Sequence, residues 1–336
     1  MDDPRAVHEV GRRRTRRRSR LLLVLLPPAL LLGAVELACR VGERPAWWEE
    51  LEATQRASQE IEYERNAEGL RDQEHASPRP EGHLRVLMLG DSFTYGLGVA
   101  DRARTFPELL EARLNADRPV PDAVACEVLN GAVPALLTDA WVEIAERVGP
   151  RFQPQLVVAV FFLRDGAQIG FTRNFFGPIR ERMKAWRESS ALARLSAAWR
   201  RWRGHRLALE MSREYVEAFR RAYLGPTAET EEWARAQRNL LRIRDYFAKR
   251  GARFELVLFP VLFGFGPDYP FRPVCEAVER FARRNEIPFL SLLPALERED
   301  PATLWIAPWD QHPNERCHQL VADALEPRLR AVLYDG

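Results

Sequence analysis

Cysteine is scarce in this chain. The four cysteines, Cys39, Cys126, Cys275 and Cys317, form no Cys-x-x-Cys pair and stand at no Cys/His spacing that suits zinc. They read as small buried hydrophobes, with a Cys126–Cys275 or Cys275–Cys317 bridge left open outside the cytosol. A Gly-x-x-x-x-Gly-Lys-Ser/Thr phosphate loop is missing. Gly/Ser and Gln/Asn low-complexity tracts and repeats at solenoid periods are missing too, which excludes repeat scaffolds. No metal and no cofactor are implied.

An excess of one charge is also lacking, since the 336 residues carry a net +2. That small surplus is local. Residues 1–20 hold eight arginines against Asp2, Asp3 and Glu9, a net +5 that leaves the remainder at −3. The basic character therefore belongs to a tail and gives no reason to expect nucleic-acid binding by the folded part.

One long apolar run is present. Leu21 to Cys39 reads LLLVLLPPALLLGAVELAC, and its first charge is Glu36. Nineteen helical residues span roughly 28 Å, close to the hydrocarbon thickness of a bilayer. Pro27 and Pro28 kink such a helix without forbidding it. Seven arginines among residues 12–20 stand directly before it. The positive-inside rule then predicts a single-pass signal anchor over 21–39, with tail 1–20 in the cytoplasm and the rest of the chain outside it. A cleaved signal peptide, for which Ala34 and Ala38 are small enough, and a lipoprotein signal ending at Cys39 are the competing readings. Residues 40–80 are polar, charged and contain proline, and are expected to form a stalk with a short helix around 47–63.

From residue 81 short apolar runs alternate with helical patterns. Strands are predicted over 85–89, 126–130, 156–162, 254–260 and 288–291, and helices over 105–115, 138–148, 273–285 and 314–332. Continuous apolar strands between helices predict a parallel sheet covered on both faces, a three-layer α/β/α domain. Sites in such domains lie at the carboxyl ends of the strands. Residues 166–250 interrupt the alternation as a helical insert. Leu192, Leu195, Trp199 and Trp202 recur there at helical spacing, and residues 171–206 carry ten basic residues against Glu181 and Glu188. A cap over anionic polymer or lipid headgroups is the sharper reading of that insert, a solvated basic helix face the plainer one.

Three of the strand ends carry polar residues suited to chemistry. Ser92 follows the first strand, in Gly90-Asp-Ser-Phe-Thr94. A hydroxyl needs a base to take its proton and donors to receive an oxyanion. His312, in Asp310-Gln-His-Pro-Asn314, is the base candidate among six histidines. A carboxylate two residues earlier, Asp310, reaches its Nδ1 if Gln311 turns, and fixes the tautomer. His8 precedes the anchor, His75 and His83 fall in the stalk region, His205 lies in the insert, and His318 suits a core or capping role. Asp91 and Asp165 read as turn and network carboxylates rather than as a metal pair.

The two motifs together, at opposite ends of an α/β domain, resemble the SGNH (GDSL-like) hydrolase superfamily over roughly residues 80–332, the insert excluded. The resemblance implies a flavodoxin-like sheet, with Ser92 as nucleophile, Asp310 and His312 completing a triad, and the Ser92 backbone N–H as one oxyanion donor. Two positions depart from the family pattern. Ala135 replaces the glycine of the second block, in Asn130-Gly-Ala-Val-Pro-Ala135, and Arg164 replaces the asparagine of the third, in Phe161-Phe-Leu-Arg-Asp165. A backbone N–H from Ala135 and the guanidinium of Arg164 are the corresponding donor candidates. The function so implied is a membrane-anchored serine esterase or deacylase acting through an acyl-enzyme on acylated glycans or lipids of the cell envelope. An envelope-polysaccharide acyltransferase on the same fold, or a non-catalytic glycan-binding module, are the alternatives.

Overall fold

The computed structural model describes residues 30–34, 37, 61–116, 125–167, 213–225, 231–307 and 310–334. All but 30–34 and 37 fall in one compact unit, Thr54–Phe175 with Ser212–Gly336; those few belong to a second unit, Met1–Ala53 with Phe176–Met211. Residues 30–34 and 37 are helical, and Leu30, Leu31, Leu32 and Leu37 are exposed. The rest of the expected anchor, the basic tail, Cys39, the first half of the stalk, and Leu192, Leu195, Trp199 and Trp202 of the insert lie outside the described residues. Among the described residues no helix is long and apolar enough to cross a membrane.

The sheet is built from β1 (His83–Leu89), β2 (Ala125–Asn130), β3 (Leu156–Phe162), β4 (Arg253–Phe259) and β5 (Phe289–Ser291), all parallel, in the order 2-1-3-4-5. This is the flavodoxin-like order. β3, the central strand, is buried at every position, as an apolar run covered on both faces must be. Between the strands run α1 (Ser92–Tyr95), α2 (Phe106–Ala116), α3 (Thr138–Phe152), α4 (Glu231–Ala248) and α5 (Arg272–Arg284). After β5 come α6 (Leu293–Leu296), an antiparallel hairpin of β6 (Trp305–Ala307) and β7 (Asp310–Pro313), and α7 (Glu315–Tyr334).

Right-handed crossovers place α2, on the leftward step from β1 to β2, on one face of the sheet, and α3, α4 and α5, on the rightward steps, on the other. The packing agrees: α2 meets α7, and α3 meets α4. On the α3/α4 side Trp141, Phe161, Trp233 and Phe281 form a chain of edge-on and tilted rings with centroids 5.5–6.4 Å apart. Truncating one of these to alanine costs about 3–5 kcal/mol.

The structure differs from the sequence reading in four places. α3 runs on to Phe152 through Pro150, because a proline in the last turn gives up one hydrogen bond while Gln153, at φ 49°, closes the end onto Gly149 O. α4 lies inside the range assigned to the insert, and it packs on α3 and β4 as a layer helix. β6 and β7 were not expected. Finally, residues 61–80 do not stand clear of the domain. Leu70, Arg71 and Asp72 are buried, Asp72 Oδ2 accepts the Asn130 N–H at 2.9 Å, and Ile61–Tyr63 are not helical. His83, placed in the stalk region, opens β1. Cys126, Cys275 and Cys317 are buried free thiols, which closes the two disulfides left open.

Candidate active site

The carboxyl ends of β1, β2 and β3 converge with the β6–β7 hairpin. α1, one turn long, begins at Ser92, with Asp91 as N-cap accepting the Phe93 N–H at 2.9 Å. So short a helix has little macrodipole, and negative charge at Ser92 must be met by local N–H groups instead. β3 continues through Val160–Phe162 past its last pairing with β1. This brings Phe162 level with the nucleophile turn, where Phe93 stacks on it at 4.2 Å between centroids. Phe259 meets Phe93 edge-on at 5.1 Å, and the His312 ring does so at 5.4 Å. The imidazole thus rests on an apolar wall.

His312 Nε2 lies 3.0 Å from Ser92 Oγ. His312 Nδ1 lies 2.5 Å from Asp310 Oδ1, and the same oxygen accepts the His312 backbone N–H at 3.0 Å. The Asx turn so formed explains why a spacing of two residues suffices. Burial works against the charged form of Asp310, but the bonds and charge of His312 outweigh it and hold its pKa below the usual carboxylate value. The hairpin carrying both residues is fastened by Asn314. Its Nδ2 donates to Thr303 O and Trp305 O, while its Oδ1 accepts the Cys317 N–H and caps α7. Trp305 Nε1 donates to Leu262 O at 2.7 Å, beyond the end of β4.

The two unusual positions behave differently. Ala135 sits at φ 63°, in the left-handed region where glycine is at ease, so its backbone keeps the conformation a glycine would have there. Among the described residues no acceptor takes the N–H of Ala135 or that of Ser92. The Val133 N–H donates to Gly90 O, which joins this block to the nucleophile turn. Arg164 is held by a carboxylate: its Nη2 lies 3.4 Å from Asp91 Oδ2, beside Ser92. Burial raises the Asp91 pKa, against the opposing pull of Arg164 and the Phe93 N–H. Asp165 is raised well above the carboxylate range, by burial and then by Asp91. Its Oδ2 accepts the Phe162 N–H, a network role like that expected from the sequence. Among the described residues no cluster of His, Cys, Asp and Glu suits a metal ion.

Sequence reasoning missed Phe93, Phe162 and Phe259, whose apolar character looked like core, and Asn314 as the hairpin's fastener. It also missed Tyr63 and Arg71, in a stretch whose polar composition resembles a linker. His318 is a core residue whose Nδ1 accepts the Phe106 N–H at 3.2 Å.

No family model matches the chain, and no curated protein matches it. Solved structures that are similar include TesA, at 16% identity and a TM-score of 0.45, over 74% of this chain and 99% of that one. A catalytic mutant of Axe2, an acetylxylan esterase from Geobacillus stearothermophilus, is 13% identical with a TM-score of 0.42, over 73% and 94%. A lipolytic protein of the G-D-S-L family from Veillonella parvula is 12% identical with a TM-score of 0.40, over 72% and 96%.

Proposed function

We propose that this chain is a serine hydrolase that cleaves acyl esters through an acyl-enzyme. The observation that carries the reading is the unbroken chain Ser92 Oγ–His312 Nε2 and His312 Nδ1–Asp310 Oδ1, at 3.0 and 2.5 Å. Ser92 Oγ attacks the ester carbonyl while His312 Nε2 takes its proton, and Asp310 stabilises the imidazolium. The backbone N–H groups of Ser92 and Ala135 receive the oxyanion. The tetrahedral centre collapses, the C–O bond to the alcohol breaks, and His312 returns the proton to the departing oxygen. Water then enters by the same route in reverse, releasing the carboxylic acid and free Ser92. Arg164, held by the buried Asp91 beside the nucleophile, is the remaining donor candidate for the oxyanion.

The substrate class we propose is an acylated glycan or lipid of the cell envelope. Support for that context comes from the sequence, where the arginines of residues 12–20 precede the apolar run 21–39. In this reading the N-terminal helix anchors the protein and the catalytic domain faces away from the cytoplasm.

The test is covalent labelling of the purified full-length protein by a fluorophosphonate, alongside Ser92→Ala and His312→Ala. Labelling of the parent that disappears in both variants is the expected result. A folded parent that stays unlabelled sinks the catalytic reading and favours a glycan-binding module. Turnover of an acylated substrate that needs an added sugar acceptor, rather than water, would move the assignment to an acyltransferase.

A further inference from the structure

Arg71 is 1% exposed, yet no carboxylate lies within ion-pair distance of it among the described residues. Its guanidinium instead donates to four backbone carbonyls, Tyr95 O at 3.2 Å, Gly96 O at 2.5 Å, Val99 O at 2.6 Å and Ala100 O at 3.3 Å. It lies over the rings of Tyr63 and Tyr95, 4.5 and 5.5 Å from their centroids. A buried cation is costly unless its donors are satisfied, and here all four acceptors belong to one short stretch of backbone, residues 95–100. That stretch is the end of α1 and the loop that leaves it. α1 begins with Ser92, so Arg71 grips the far end of the turn that carries the nucleophile.

The same loop has a second grip. The Gly98 N–H donates to Tyr63 Oη at 2.7 Å. Gly98, at φ 88°, packs directly under Ile306: a Cβ there would stand 1.9 Å from Ile306 Cδ1, the tip of a side chain that would have to turn aside. Ile306 lies on β6, the partner of the strand carrying Asp310 and His312. With Gly96 and Gly98 both at positive φ, this loop is held by few intrinsic preferences of its own. The segment 63–71 thus presses the nucleophile turn against the hairpin that carries the base.

Resting on the serine-hydrolase reading, we infer that Arg71 and Tyr63 are positioning residues that set the Ser92–His312 distance from outside the sheet. Segment 63–71, whose composition resembles a tether, then belongs to the domain and positions its catalytic pair. A misplacement of about 1 Å between reacting groups costs on the order of 100-fold in rate, so loosening either grip falls on the chemical step more than on substrate binding.

The experiment uses the full-length protein, with Tyr63→Phe, Arg71→Lys and Arg71→Met. Steady-state hydrolysis of p-nitrophenyl acetate and fluorophosphonate inactivation are followed well below each variant's melting temperature. Tyr63→Phe removes only the oxygen that holds Gly98, and is expected to lower kcat about three- to tenfold with KM within about twofold. Arg71→Met is expected to lose more, and Arg71→Lys to recover part of that loss. If neither Arg71 variant folds, Tyr63→Phe decides. Folded variants with parental kcat, or with a loss confined to melting temperature, overturn the inference while leaving the hydrolase reading intact. A parent that neither turns over ester nor takes the label overturns both.

Discussion

Asp310 Oδ1 receives His312 twice, once through the backbone N–H at 3.0 Å and once through Nδ1 at 2.5 Å. One oxygen thereby fixes both where the histidine's backbone turns and which way its ring faces. An asparagine can still accept the backbone bond through its carbonyl oxygen. It cannot also stabilise an imidazolium or enforce the tautomer that leaves Nε2 free to take a proton. Asp310→Asn is therefore expected to keep the fold and KM while lowering kcat by about 10³–10⁴-fold. Ester turnover, read together with circular dichroism, checks this. A fall of less than about tenfold would mean that something other than Asp310 orients the base.

What was legible in the sequence follows from where each residue's partners lie. β3 announces itself, because seven consecutive apolar residues between turns have few other places to go. Ser92 and the Asp310–His312 pair are legible because their chemistry demands particular residue types at short spacing. The hairpin that joins them to the domain is not, since β6 and β7 are short and carry no periodic pattern. Arg71 is hidden for a different reason. Its partners are backbone carbonyls 24–29 residues away, which leave no mark on composition, so a polar stretch containing it passes for a linker. α4 as a whole passes for part of the insert, because its exposed face is as polar as the segment before it and no strand-like apolar run in the sequence separates the two.

Ala135 offers a test of backbone conformation. An L-residue in the left-handed region costs about 1–2 kcal/mol, whereas glycine there is unstrained but loosens the unfolded chain by about 0.4–1 kcal/mol. Ala135→Gly should therefore leave stability unchanged or raise it by up to about 1.6 kcal/mol, with the rate of fluorophosphonate labelling unaltered because the N–H stays in place. Ala135→Val, β-branched at φ 63°, should lose more than 1 kcal/mol and slow labelling. Urea denaturation and labelling kinetics separate the two effects. If glycine slows labelling as much as valine does, then rigidity at this position, and not the N–H, is what the site uses.

Glu108 gives a pH dependence of known sign. It opens α2 and pairs with Arg102 at 2.6 Å. Burial nevertheless raises its pKa to about 7, and the nearby charges of Asp72 and Glu111 add to the rise while Arg102 and His75 oppose it. A carboxyl whose folded pKa lies above its unfolded value contributes stability that is complete below the ordinary carboxylate range and is lost as pH climbs through the raised value. Glu108→Gln mimics the neutral form at every pH. Parent and variant should melt together below about pH 4.5. Above pH 7 the variant should be the more stable, by on the order of 1–3 kcal/mol, despite having lost an ion pair. Calorimetric melting of both proteins from pH 4.5 to 8 measures the difference directly. A parent that gains on the variant as pH rises would show that the Arg102 attraction exceeds the cost of burying the charge, and that Glu108 is ionised throughout.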